Sequence, residues 1–286
     1  IDRLSVDMTG VEELVLNDGM EHLILFGEVS DNCKIRTEDN GSTLILYVDG
    51  ALPRLSGLEN LESLHIRSIM ELDIEEVLSR YPDLLELRLW GKPGNLINFD
   101  KLSCFSKLRF FSTMELFGFS EKDIPEPECF PNLCGLWMDS LPEDAAKMVK
   151  KLYKNRAKEG LHLWITKARK PEWLAQNLDN PFRSWDGREG ITPSNAKKAA
   201  DLYRKTRAQV VKLVEGPTSD FEQDIEALVR TYAEGFNKMD KRKFFITTIE
   251  RDEVYDALSE ILDLIPDEFA IDKNRMIEVF DEVKEF

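Results

Sequence analysis

Histidine and cysteine are scarce, at three and four residues in a chain of 286. His22, His65 and His162 lie in unrelated segments, so a nucleophilic triad built on histidine is not expected. Cys33, Cys104, Cys129 and Cys134 are too few for a disulfide scaffold and read as reduced thiols of a cytoplasmic protein. Cys129 and Cys134 lack the second pair that a structural zinc site requires. Long apolar runs are missing too: none approaches the length of a membrane span, and none has the form of a signal peptide. The chain opens on Ile1, as a trimmed polypeptide would.

Catalytic signatures are equally sparse. The stretch "WGKPGN" has glycine and lysine but neither the spacing nor the terminal Ser or Thr of a phosphate-cradling loop. A turn accounts for "WDGREG", and no serine has the context of a nucleophile elbow. The acidic pairs Asp220/Asp224 and Asp252/Asp256 each fall on one helix face, which chance supplies in a chain with 54 acids. The expectation is a protein that is not an enzyme, with no cofactor and no metal.

Positive charge is in deficit: the formal net charge is -16. That balance repels phosphates and argues against a dedicated nucleic-acid binder, while a basic protein partner would be complementary. The deficit is segmented. Residues 1–146 hold 28 acids and 12 bases, residues 147–214 hold 6 and 17, and residues 215–286 hold 20 and 9. The basic middle either neutralises its acidic flanks or forms an RNA-binding patch across Lys147–Lys212. The first is preferred, because no nucleic-acid motif accompanies it.

What the sequence does contain is a recurring pattern. Apolar residues fall at Leu61/Leu64/Ile66, Leu84/Leu87/Leu89, Leu133/Leu136/Met138 and, less well, Leu108/Phe111/Thr113. The first positions are 23, 24 and 25 residues apart, an interval suited to a solenoid with one short strand per turn. Degraded copies occur at Met20/Leu23/Leu25 and Leu44/Leu46. Val11/Leu14/Leu16 reads as a capping strand or hairpin arm, and Leu161/Leu163/Ile165 as a last strand. Between them "DIEEVLSRYPDL" and "SLPEDAAKMVKKLYKNRAKEG" read as helices, and "SEKDIPEPECFPNL" as loop.

The character changes near Lys167. A packed linker carrying Trp173, Phe182 and Trp185 leads to four expected helices. They start at Thr192-Pro193, at Ser219 or Asp220, at Thr248 and at about Asp272, and stops are marked by Gly216-Pro217 and Pro266. The expected organisation is a solenoid over residues 1–166, then a linker and helical domain over residues 167–286.

The repeat resembles the leucine-rich repeat family over roughly residues 11–166, most strongly between Leu58 and Met138. The resemblance implies an α/β fold with parallel strands on the concave side of an arc. The family's Asn or Cys position is filled by Ile69 and Lys92, which implies a short, irregular arc. Alternation sends Leu64 and Ile66 inward and Ser63, His65 and Arg67 outward. The same reading assigns the outward pair Val15/Asn17 and the outward triplets His22/Ile24/Phe26, Thr43/Ile45/Tyr47, Ser63/His65/Arg67, Glu86/Arg88/Trp90, Phe110/Ser112/Met114, Gly135/Trp137/Asp139 and His162/Trp164/Thr166.

From that surface Phe26, Tyr47, Arg67, Glu86, Arg88, Trp90, Phe110, Trp137, Asp139 and Trp164 are the expected binding residues, because aromatic rings dominate protein interfaces and Glu86 and Asp139 would steer a basic partner. Three arrangements remain open at this stage: an exposed face, a face covered by the helical domain, or a register error in the degraded copies. In size, charge and absence of chemistry the chain also resembles bacterial toxin-immunity proteins, which implies neutralisation of a basic toxin domain. A scaffold or adaptor in signalling is the alternative, with RNA binding behind it. No membrane partner is expected.

Overall fold

Where apolar and polar residues alternate the chain forms strands, and where apolar residues recur at three and four it forms helices. The computed structural model describes residues 2–31, 33–216, 219–241 and 244–286. It is a mixed α/β structure with a large parallel sheet and a helical C-terminal region. The strands are β1 (Arg3–Asp7), β2 (Glu13–Val15), β3 (His22–Phe26), β4 (Cys33–Arg36), β5 (Ile45–Asp49) and β6 (Leu55–Ser56). They continue with β7 (Ser63–Asp73), β8 (Glu86–Ile97), β9 (Phe110–Phe117), β10 (Gly135–Pro142) and β11 (His162–Arg169).

Eight strands form one sheet in the order β1-β3-β5-β7-β8-β9-β10-β11, and β2-β4-β6 form a second, three-stranded one. Every pairing in both sheets is parallel. Parallel neighbours need a crossover, and here the early crossovers pass through the small sheet. Later ones use short helices: α1 (Ile74–Arg80), α2 (Glu143–Leu152) and α3 (Lys154–Lys158), with 3₁₀ turns at Phe99–Cys104, Glu121–Asp123 and Pro127–Cys129. Asp73 starts α1 by accepting a hydrogen bond from the Glu75 amide at 2.8 Å.

Two apolar columns run across the inner side of the large sheet. One pairs Leu23 with Leu46, Leu46 with Leu64, Leu64 with Leu87, and Leu87 with Phe111. The other pairs Val48 with Ile66, Ile66 with Leu89, Leu89 with Thr113, and Thr113 with Met138. These side chains are all buried. Each aliphatic one contributes roughly 1.5–3 kcal/mol by leaving water. Thr113 is the exception, since its Oγ1 is buried with no hydrogen-bond partner among the described residues.

Just beyond the outward residues the strands turn. Gly27, Gly50, Ser68, Glu115, Ser140 and Lys167 all have positive φ, each directly after the last outward residue of its strand. The ladder between β7 and β8 shifts register there, between Ile66 and Ile69, and that between β8 and β9 between Trp90 and Gly94. This is the behaviour of a bulge repeated from strand to strand. "WGKPGN" lies in this zone. A Cβ on Gly91 would stand 2.2 Å from the Glu115 carbonyl oxygen, and one on Gly94 2.1 Å from that of Ile69, so both glycines make room for neighbouring backbone.

One sequence expectation is corrected here. Val11/Leu14/Leu16 is no hairpin arm: β2 runs parallel to β4 in the small sheet, because the return through β3 places β1, not β2, at the edge of the large one. The strand β11 continues to Arg169 and α4 (Pro171–Asn177) follows at once. The two compact units are Ile1–Leu174 and Ala175–Phe286.

The second unit is built on α5 (Pro193–Glu215), α6 (Phe221–Asp240), α7 (Thr248–Leu262) and α8 (Lys273–Val283). Thr192 caps α5, Asp272 caps α8, and Thr247, not Thr248, caps α7, through a capping box closed by Glu250. Phe182 and Trp185 are fully buried and pack against Phe236. The segment that carries them is fastened by Arg188, which donates to Glu250 at 3.0 Å and to both carboxylate oxygens of Glu253 at 2.7 Å. The Trp185 indole N–H also donates to Glu253, at 2.7 Å.

Candidate binding surface

The outward side of the large sheet carries a ladder of side chains reaching from β3 to β11. His22 Nδ1 lies 3.3 Å from the Tyr47 hydroxyl, and the Tyr47 ring meets His65 edge-on at 4.5 Å. His65 Nε2 is 3.1 Å from Glu86 Oε1, and Glu86 also accepts from Arg88 Nε. The Arg88 guanidinium then covers the face of Phe110 at 4.6 Å. Phe110 meets Trp137 at 4.8 Å and Trp137 meets Trp164 at 6.4 Å, both edge to face.

The register explains why these residues meet. Tyr47 pairs with His65, His65 with Arg88, Arg88 with Ser112, Ser112 with Trp137, and Trp137 with Trp164, so one row of outward positions crosses the sheet. Beside it runs the row Ile45–Ser63–Glu86–Phe110–Gly135–His162. Gly135 is needed between Phe110 and His162: a Cβ there would stand 2.5 Å from the Phe110 ring.

The two halves of the ladder differ in chemistry. The β3–β8 half is polar and internally paired. His65 is buried, and hydrogen bonding from His65, aided by Arg88, outweighs partial burial and lowers the Glu86 carboxyl from 4.5 to about 2. Arg67 reaches Asp49 at 3.4 Å, yet its Nε, like Ser63 Oγ, is buried without a partner among the described residues. The β9–β11 half is apolar and open. Trp137 is 41 % exposed, Trp164 53 % and Met114 37 %. A depression beside the two indoles is lined also by His162, Leu163, Leu161 and Ala157. Asp139 is tied up locally, accepting from Thr166 Oγ1 at 2.6 Å and lying 3.8 Å from Lys167 Nζ.

All ten sequence-expected residues therefore sit on the outward side of this sheet, but not as the triplets assumed. Tyr47 stands level with Ile24 and His65, not with Phe26 and Arg67, so the outward set of β5 is Ile45, Tyr47 and Asp49 in place of Thr43, Ile45 and Tyr47. Val15 and Asn17 do not belong to the surface, because β2 is in the other sheet. Phe26 is exposed at the far end, beside Asp7. Tyr47, Trp90 and Phe110 are half-buried, and so are Arg67, Glu86, Arg88 and Asp139. Missed in the sequence were the strand β1, the outward Asp49, and the polar contacts from His22 to Glu86. The alternation of Leu4 and Val6 was the available signal for β1.

No protein-family model, curated protein or solved structure matches this chain. Among the described residues no helix is long and apolar enough to cross a membrane, and no group of three or more His, Cys, Asp or Glu side chains could hold a metal ion.

Proposed function

We propose that the outward side of the large sheet is a protein-binding surface, and that the first unit is a short, irregular leucine-rich-repeat solenoid built to display it. The carrying observation is the row Phe110–Trp137–Trp164, whose two indoles remain about half exposed although they lie mid-strand on a sheet. Large rings left in water side by side on a sheet face are the residue types on which interface energy concentrates. The 23- to 25-residue spacing of the apolar triplets and the all-parallel strand order support the solenoid reading.

The partner is a basic protein, and the net charge of -16 supports this through long-range steering. In its concrete form the reading is an immunity protein of the cytoplasm that neutralises a basic toxin domain by covering it. The polar half of the ladder, whose Glu86 is held by His65 and Arg88, orients the partner, and the aromatic half is desolvated on binding.

Site-specific photo-crosslinking in the native host tests this. A photoreactive phenylalanine at Trp164 or Met114 is expected to capture one basic protein that the same group at Lys151, on α2, does not. Capture of the same species at all three positions, or of none, contradicts the proposal.

A further inference from the structure

The groove between α5 and α6 gathers cations in a chain where acids outnumber bases, 54 to 38. Thr192, Asn195 and Lys198 line it from the first turns of α5 and its cap, Lys238 and Lys241 line it from the end of α6, and no carboxylate does. Its volume is about 650 Å³, within the range of small-ligand sites. Gly235 and Leu202 form part of the wall, and a Cβ on Gly235 would stand 2.4 Å from the Leu202 side chain, so the helices touch there and the groove opens around that contact.

Among the described residues the ammonium groups of Lys198 and Lys241 have no ion-pair or hydrogen-bond partner, nor does the side-chain amide of Asn195. Lys238 approaches Glu234 only at 3.9 Å. The α6 macrodipole accounts for lysines at its C-terminal end, but not for Lys198, which comes from the other helix. Three lysines thus line one groove, and an anion entering it would be attracted by all of them. The Thr192 hydroxyl accepts from the Asn195 amide N–H and keeps its own hydrogen to donate.

We propose that this groove binds a phosphate-bearing anion, held by Lys198, Lys238 and Lys241 and oriented by Asn195 and Thr192. Phosphate fits better than an isolated carboxylate, because it concentrates up to two charges and several acceptor oxygens at one centre. The site lies wholly within the second unit and does not depend on the sheet surface or its partner.

Calorimetric titration of the full chain at low salt, with tripolyphosphate, a single-stranded RNA oligomer and a glutamate-rich peptide, tests it. Tripolyphosphate is expected to bind, and Lys198→Ala with Lys241→Ala to weaken it about tenfold or more. Both lysines are exposed, so the variant should keep the wild-type melting profile, checked in parallel. RNA binding much tighter than tripolyphosphate, with the same loss in the variant, places the phosphate on a nucleic-acid backbone; comparable affinity places it on a small ligand. No heat with either phosphate probe, affinity unchanged in the variant, or equal binding of the glutamate-rich peptide overturns the proposal.

Discussion

Glu86 Oε1 lies 3.1 Å from Nε2 of His65, one strand away, and the same carboxylate meets Arg88 on its own strand. A single carboxylate thus joins β7 to β8 on the outward surface and sets the ring of a buried histidine. Folding lowers the Glu86 carboxyl from 4.5 to about 2, through the hydrogen bond from His65 first. A carboxyl depressed by folding stabilises the protein above its ordinary value, and that contribution disappears as pH falls from about 4.5 toward 2. Discounted for partial solvation it amounts to about 2 kcal/mol. Urea unfolding from pH 6 to 2 should show this loss in the wild type and a flatter profile in Glu86→Gln. Identical slopes would show that the carboxylate gains nothing on folding.

Thr113 occupies a column otherwise filled by aliphatic residues and leaves Oγ1 without a partner. Thr113→Val keeps the shape and removes a buried, unsatisfied hydroxyl, so it should stabilise the first unit by about 1–2 kcal/mol. A shift of the denaturation midpoint to higher denaturant is the expected readout; a lower midpoint would mean that the hydroxyl is satisfied in solution.

Arg188 closes the second unit from the middle of a segment without regular structure. Its loss would remove the countercharge from two carboxylates, of which Glu250 is buried, leaving Glu253 the Trp185 and Ser184 contacts and Glu250 its capping contact with Thr247. Arg188→Ala should cost about 3 kcal/mol, and Arg188→Lys most of that, because an ammonium cannot repeat the forked contact with Glu253. Thermal unfolding followed by helical circular dichroism checks both. Wild-type stability in Arg188→Ala would contradict this role.

The repeated left-handed position predicts a gain from glycine. Ser68 has φ of 55° where Gly27 and Gly50 occupy the same place on earlier strands. Ser68→Gly should stabilise by about 0.5–1 kcal/mol, whereas Ser68→Val should destabilise by more, since a β-branched residue tolerates that backbone least. The two variants moving the midpoint in the same direction would argue against the turn.

Much of the first unit was legible because inward leucines and outward polar residues alternate cleanly around Leu64 and Leu87. Side-chain parity survived even in the degraded copies. Level did not: Tyr47 and His65 are paired although only 18 residues apart, against 23 between His65 and Arg88, because the first crossover holds only the two-residue β6 and the second the end of β7 and α1. The helix starts followed local chemistry. Thr192 was readable because Pro193 follows it, and Thr247 displaced Thr248 because Glu250 falls three residues after the former. Arg188 and Glu253 are 65 residues apart and leave no periodic trace, so a turn was all that "WDGREG" could suggest.

The most direct measurement is the affinity of the captured basic partner for the wild-type chain and for Trp137→Ala/Trp164→Ala. If the open half of the ladder is the interface, the double variant should lose about 2 kcal/mol or more of binding, roughly thirtyfold, while still melting cooperatively, because both indoles are about half exposed. Equal affinity in a folded double variant would contradict it.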